Sequence, residues 1–430
     1  MVILSHPTGN ANVREAARAL SDAGLLSEFW TSVYWRPTHP LNSVLPHSIR
    51  RELNRRAFPH LDPAQVRCNP WQETGRLLAS RFKFSNLVQH ETGKFSIDTV
   101  YRSLDKKVAA RLRRDGPSAL GVYAYEDGAL DSFRTAHELG MKAIYELPIA
   151  YYRPLRELMK EEAELQPAWA VTSRGNTDSA EKHRRKDEEL ALADHIVVPS
   201  AFVRNTLSGA KINASISLVP YGAPVTTHFG EEKPVTKDGK LKIIFVGSLT
   251  LRKGIAYLFR AIEMLGAQVE LTVIGGRTTQ CDALDRRLRL HRWIPSLSHG
   301  EVLKEIRRHD VMVFPSLFEG FGLVILEAMS CGVPVITTPN GAAPDIIHDG
   351  KDGFIVPIRD PEAIANRLEI LLRDRDRLAA MARAGARTGR LHSWERYRSN
   401  LAATVRDVLG LDPVDGTHDW ERPQLEMCNP

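Results

Sequence analysis

The sequence predicts an α/β protein built from two doubly wound, Rossmann-like domains that face a cleft. Three observations lead there. At 430 residues the chain is too long for one ordinary core. Each half opens on a short apolar run, a glycine-bearing turn and an amphipathic helix, the opening of a doubly wound domain. Between the halves, residues 226–240 are polar and carry Gly230, Pro234 and Gly239, the composition of a linker. The expected division is a first domain over 1–225, a linker over 226–240, a second domain over 241–392, a last helix over 393–411 and a loose tail over 412–430.

Composition narrows the class. Apolar residues make up 43% and charged residues 26%, the values of a globular protein. No apolar run approaches the roughly 20 residues needed to span a bilayer. The start, Met1-Val2-Ile3-Leu4, has no basic lead or cleavage site and does not read as a signal peptide. Cys68, Cys281, Cys331 and Cys428 form no CxxC pair, which points to a reducing cytoplasm and to no zinc site. The net charge of +6 is uneven: residues 1–114 hold 18 Lys/Arg against nine Asp/Glu. Such a surplus attracts nucleic acid, anionic lipid or an acidic acceptor, or it is plain solvated surface. No RNA-binding aromatic–glycine pattern accompanies it.

The elements of the first half follow in order. Residues 2–6 read as a strand, 7–10 as a turn, and 13–23 as a helix with Val13, Ala16, Ala17 and Leu20 on one face. Gly9 either lets the backbone approach a ligand or only makes the turn tight. Residues 29–34 read as a second strand, and the pattern weakens over 37–95. Within that stretch 47–56 is a basic helix candidate, for a membrane surface, an acceptor or simply solvent. A helix over 96–114, a strand over 120–125, a helix over 129–139 and a strand over 141–146 come next. Glu126, Asp127 and Glu146 stand just past strand ends, where doubly wound sheets bind ligands. The charged run over 181–192 reads most simply as a solvated helix face. It leads into a strand, Ser200 as a cap, a helix over 201–207 and a strand over 216–220.

In the second half, 241–246 is a strand, Gly247-Ser248 a turn and 255–265 a helix. Arg252-Lys253-Gly254 precede that helix, an arrangement suited to a diphosphate: Arg grips it bidentately and Lys supplies a point charge. Residues 269–274 and 291–294 read as strands, 300–308 as a helix and 310–314 as a strand. Asp360-Pro361 is an N-cap and first-turn proline for a helix through residue 372, and Ser393-Trp394-Glu395 begins the final helix.

The chain is organised around residues 314–337, FPSLFEGFGLVILEAMSCGVPVIT. Pro315 and Ser316 stop a buried strand. Glu319 and Glu327 follow with seven residues between them, and Gly320 and Gly322 lie in that interval. Small residues and free N–H groups at a helix start favour an anion, above all a phosphate. The two carboxylates would repel one, so they hold sugar hydroxyls or are solvated.

The segment E-G-F-G-L-x-x-x-E-A-M-S-C-G-V-P-V-I resembles the signature of retaining nucleotide-sugar glycosyltransferases of the GT-B fold, family-4 (group 1) type. The resemblance is closest over 190–410 and fainter over 1–190. It implies a retaining transfer from a nucleotide-diphospho-sugar to an acceptor hydroxyl, with no metal and no cofactor. Arg252 and Lys253 would take the diphosphate and Glu319 the transferred sugar. Gly9, Gly247, Ser248, Gly320, Phe321, Gly322 and Leu323 would line the donor, with Glu327 on the ribose and Ile294 near the base. Glu126, Asp127 and Glu146 would lie on the acceptor side, in the first domain, and the last helix would cross back to it. Two departures stand out. Many relatives have an Arg at the position of Ser248, and a His where this chain has Glu146. The acceptor is a glycan, a lipid-linked molecule or a small molecule, and a peripheral contact with a membrane surface accompanies the cytoplasmic reading. The rival readings are another GT-B enzyme, such as an epimerase or phosphorylase, and a catalytically silent nucleotide-sugar-binding protein.

Overall fold

A computed structural model of the chain describes residues 1–36, 38, 40–46, 50, 53–54, 56–115, 119–173, 178–223 and 239–412. Most of the basic candidate helix over 47–56, nearly all of the linker over 226–240 and the tail from 413 onward lie outside the described residues.

The first half contains β1 (Val2–Ser5), α1 (Ala11–Asp22), β2 (Leu26–Thr31), β3 (Val66–Cys68), α2 (Pro70–Arg81), α3 (Ile97–Asp115), β4 (Gly121–Tyr125), α4 (Leu130–Glu138), β5 (Lys142–Glu146), α5 (Tyr152–Leu165), α6 (Ala180–Leu192), β6 (His195–Val198), α7 (Ala201–Thr206) and β7 (Ser215–Leu218). Its seven strands run in the order β3-β2-β1-β4-β5-β6-β7, and every pairing is parallel. Both faces are covered by helices, so strands such as VILS and GVYAY are buried throughout.

The second half contains β8 (Leu241–Val246), α8 (Ile255–Leu265), β9 (Val269–Ile274), α9 (Asp282–Leu288), β10 (Arg292–Ile294), α10 (His299–Arg307), β11 (Val311–Phe314), α11 (Leu323–Ser330), β12 (Val335–Thr337), α12 (Ala343–Ile346), β13 (Phe354–Ile355), α13 (Pro361–Arg373), α14 (Arg375–Leu391) and α15 (Trp394–Val408). Its six strands are also all parallel, in the order β10-β9-β8-β11-β12-β13. Asp360 caps α13 by accepting from the Ala363 N–H at 2.7 Å, the role its place before Pro361 predicts. Helix α15 lies on the first half, where Arg398 pairs with Glu15 of α1 at 2.5 Å and Arg406 donates to the Ala23 carbonyl at 3.0 Å.

The strand order decides where loops meet. In the first sheet the direction of winding reverses between β1 and β4; in the second it reverses between β8 and β11. At such a point the two following loops diverge to opposite faces and leave a crevice at the carboxyl ends of the strands.

Three expectations are corrected. The second strand starts three residues earlier than the pattern suggests, at Leu26. The weak stretch over 37–95 holds β3 and α2, together with short 3-10 turns. The charged run of α6 is solvated on only one side, where Glu181 and Arg184 are exposed. Lys182 and Lys186 are buried because acidic side chains from three other segments converge on them, and Glu189 is buried because it accepts from the Asp127 and Ala129 N–H groups.

Candidate functional site

The crevice of the second sheet brings the adjacent Arg252 and Lys253 together with Glu319, 67 and 66 residues further on. After β8, a single 3-10 turn over Leu251–Lys253 presents Arg252 and Lys253. Gly254 follows with φ +67° and begins α8. A Cβ there would sit 1.9 Å from the Pro315 carbonyl oxygen, so only glycine lets this loop press against the one after β11. That second loop carries Glu319. Arg252 Nη1 donates to the Phe318 carbonyl at 2.6 Å and reaches Glu319 Oε2 at 3.5 Å. Lys253 Nζ pairs directly with the same oxygen and lies 4.7 Å from the Phe314 ring centroid. Ser316 Oγ is 3.4 Å from it.

Burial alone would raise the Glu319 carboxyl; the charges of Lys253 and Arg252 outweigh it and hold the group below the usual carboxylate range. Burial lowers the Lys253 ammonium, with Arg252 adding repulsion and Glu319 opposing. Two cations thus share one carboxylate in a half-buried corner, which leaves one positive charge in excess. Such a corner has the charge to receive an anion.

Gly320 is small for a different reason than ligand access. A Cβ on it would lie 2.1 Å from the Pro148 carbonyl oxygen, so the main chain of the first half occupies that space. Ser200 Oγ donates to the Gly320 carbonyl at 2.6 Å while accepting from Val203 N–H as the cap of α7. Phe321 is buried against Tyr221, with centroids 5.2 Å apart. Gly322 takes a left-handed φ of +83° and starts α11, whose first residue is Leu323. Glu327, one turn on, does not join the Arg252–Lys253–Glu319 group. Its Oε1 meets His299 Nε2 at 2.9 Å, and that hydrogen bond raises the His299 imidazole.

On the β8 side Gly247 donates to the Ile274 carbonyl and Ser248 accepts from Thr250 N–H at 3.0 Å. Ile294, on edge strand β10, accepts from Gly275 N–H at 3.0 Å. Trp293 next to it donates to the Gly275 carbonyl at 2.9 Å and carries the Arg277 guanidinium 4.8 Å over its ring. The contacts of His299, Trp293 and Arg277 were not legible in the sequence, because no motif links them to the loops they join.

The crevice of the first sheet is chemically different. Gly9 lies in the loop after β1, beside His6, whose Nδ1 accepts from Thr8 N–H at 3.0 Å. Burial depresses the His6 imidazole to about 4. Tyr101 Oη stands 3.5 Å from its other ring nitrogen. Glu126 and Asp127 follow β4, but their carboxylates are engaged by α6. Lys186 lies 3.3 Å from Glu126, and Arg185 and Lys182 lie 3.3 and 3.6 Å from Asp127. Burial raises the Glu126 carboxyl against the pull of Lys186. Asp98 and Asp178 complete the network, at 2.8 and 3.2 Å from Lys182. His90, Glu91 and Asp178 come within ligand range of one another, but the Lys182 ammonium already supplies positive charge there.

Glu146 is withdrawn from any acceptor. It is 1% exposed, and the hydroxyls of Tyr123 and Tyr221 each donate to it at 2.6 Å. Burial raises its carboxyl. Each of its carboxylate oxygens is thus engaged by a tyrosine hydroxyl of the first half.

The two halves also touch away from the crevices. Glu162 of α5 is fully buried and accepts from Tyr257 Oη at 2.6 Å and Arg359 Nε at 2.8 Å. Leu251 N–H donates to Thr172 Oγ1 at 3.0 Å, and Phe202 packs edge-on against Phe318. A cavity of about 720 Å³ opens at the opposite end of the second sheet, among Lys242, Glu270, Arg292 and His309, far from these loops.

Residues 229–388 match the family described as glycosyl transferases group 1. Among characterised proteins the chain is similar to D-inositol 3-phosphate glycosyltransferase of Xylanimonas cellulosilytica, 35% identical over 213 residues, which cover 46% of this chain and 49% of that protein. Glycogen synthase of Mycobacterium tuberculosis is 32% identical over 210 residues, covering 47% and 50%. The chain therefore spans about half the length of these relatives. Among solved structures, sucrose-phosphate synthase of Thermosynechococcus elongatus superposes with a TM-score of 0.67 at 18% identity, covering 95% of this chain and 99% of that one. HepE of Anabaena, in complex with UDP-glucose, gives 0.60 at 13% identity, covering 94% and 99%. These likenesses establish the fold as the two-domain GT-B type.

Proposed function

We propose that this chain, whose residues 229–388 belong to the group 1 glycosyl transferases, moves a sugar from a nucleotide-diphospho-sugar to an acceptor hydroxyl with retention of configuration. The observation that carries this reading is the meeting of Arg252, Lys253 and Glu319 at the β8–β11 crevice. A diphosphate placed there takes over the two cations from Glu319. The freed carboxylate then turns to the sugar hydroxyls.

The bond from the anomeric carbon to the β-phosphate oxygen breaks, and the acceptor oxygen bonds to that carbon on the face the diphosphate leaves. The acceptor proton passes to the departing phosphate oxygen. Arg252, Lys253 and the N–H groups of 320–323 stabilise the charge that develops on the leaving group, so that no metal is needed for that task. Glu327, oriented by His299, accepts from the ribose hydroxyls. Gly247, Ser248 and Ile294 border the nucleoside. Gly9 faces the donor from the first domain. The first domain over 1–225 selects the acceptor. Domain 241–392 holds the donor, and 393–411 ties the two together. Binding of UDP-glucose by the structurally similar HepE favours this class of donor.

A thermal-shift panel of nucleotide sugars tests the reading, since a ligand bound only by the native state raises its melting temperature by mass action. At least one nucleotide sugar is expected to shift the melt, and the shift should shrink in Lys253→Ala. No shift with any of them would overturn the proposal. A shift without transfer or hydrolysis would favour the silent binding protein.

A further inference from the structure

Helix α2 is built inside out. Its buried residues are Glu73 and Ala79, while Trp71 is 75% exposed and Leu78 52%. Glu73 can be internal because Arg56 and Arg76 each pair with it at 2.7 Å. Trp71 and Leu78 are seven residues apart and so share one helix face. The chain then leaves the helix through Arg81-Phe82-Lys83-Phe84-Ser85-Asn86-Leu87, every one of them exposed. The rings of Phe82 and Phe84 lie 6.2 Å apart at the surface, and Lys83 between them has a φ of +59°. Leu78, Phe82 and Phe84, with Arg81 and Lys83 among them, are thus exposed together at the end of the helix, with Trp71 two turns back on the same helix face and Leu87 three residues on. Ordinary surfaces scatter such residues singly; a contiguous group marks a docking site.

We infer that this patch seats the protein on an anionic lipid bilayer. The charge argues for that occupant. Arg81 and Lys83 lie inside the patch, and residues 1–114 carry nine more cations than anions. Tryptophan and phenylalanine settle at the headgroup level, and lysine and arginine are drawn to acidic headgroups. A second copy of the chain would bring like charges together. The segment that follows the patch is tied to the first sheet through α3. Phe95 N–H donates to the Leu87 carbonyl, Glu91 N–H donates to Asp98 of α3, and Tyr101 of that helix reaches His6. The inference does not depend on the transferase reading.

The test is co-sedimentation of the full chain with phosphatidylcholine vesicles, with and without phosphatidylglycerol. Binding is expected only with the anionic lipid, and it should weaken as salt rises. Trp71→Ser/Phe82→Ser/Phe84→Ser should lower the partition by at least about tenfold. Arg81→Gln/Lys83→Gln should lower it less and remove the salt dependence. The second variant touches no packed residue, so it decides the matter should the first fail to fold. Thermal shifts by nucleotide sugars are run on the same variants and should not change. The inference is overturned if the parent ignores anionic vesicles, or if both variants bind as the parent does. It is overturned equally if the patch serves only self-association or a single-stranded oligonucleotide.

Discussion

The two crevices of this molecule share one topology and differ in electrostatics. At the β8–β11 crevice, Arg252 and Lys253 meet the single carboxylate of Glu319. At the β1–β4 crevice, Lys182, Arg185 and Lys186 meet Asp98, Glu126, Asp127 and Asp178. The first arrangement keeps a positive charge for a ligand. The second closes on itself, and its ion pairs hold α3, α6 and the β4 loop in register. A strand order creates a place for a ligand; the charge balance of the loops decides whether the place is kept open or filled by the protein's own side chains.

Four measurements test this contrast. Lys253→Ala should reduce turnover about a thousandfold, as loss of a preorganised charge at a leaving group does. Its melting temperature should barely move. Turnover at the parental rate would remove the diphosphate assignment. Lys182→Met should act the other way and lower stability by on the order of 3 kcal/mol, because it takes from buried Asp98 its nearest cation and leaves only the more distant Arg185. Urea unfolding measures this, and an unchanged midpoint would show that the first crevice is not held by its charges.

The third measurement uses acid. His6 titrates at about 4 in the fold and near 6.5 when unfolded. Above pH 6.5 both forms are neutral and the residue adds no pH dependence. As pH falls from 6.5 to about 4, the unfolded chain takes up a proton that the native state refuses, so stability falls by up to about 3 kcal/mol. His6→Asn should flatten that limb, whereas the Glu319 contribution is present above 4.5 and is lost only as pH falls through its lowered value. Identical pH slopes in parent and variant would contradict the burial of His6. The smallest effect belongs to His299. Its raised value means that its pairing with Glu327 stabilises the fold below pH 6.5 and fades as pH rises through the folded value. Solvent screening keeps this below about 1 kcal/mol. His299→Gln should remove the small alkaline drift in melting temperature.

Much of the second half was legible residue by residue. Strand β9 falls on 269–274 and α8 on 255–265, as their apolar patterns predict. The reason is that a strand covered on both faces reads as an unbroken apolar run, and the Gly turns around it are local. The region over 37–95 was not legible. Its helix α2 buries a paired glutamate and exposes its tryptophan, so the periodic signal is inverted. The surroundings of Glu146 were not legible for a related reason. Position past a strand end told where its backbone lies, but not that Tyr221, 75 residues away, would close over it.

What the sequence determined by itself was the alternation of strand and helix, the capping residues, and the identity of the 314–337 segment. These depend on neighbours within a few positions, where periodicity and backbone chemistry act. Only the tertiary structure decided which charges are neutralised and which remain. Lys182 and Lys253 are alike as residues, and both stand near a sheet's carboxyl edge. Their difference lies in how many carboxylates the fold brings within reach, and that number is set by contacts between segments that no local pattern encodes.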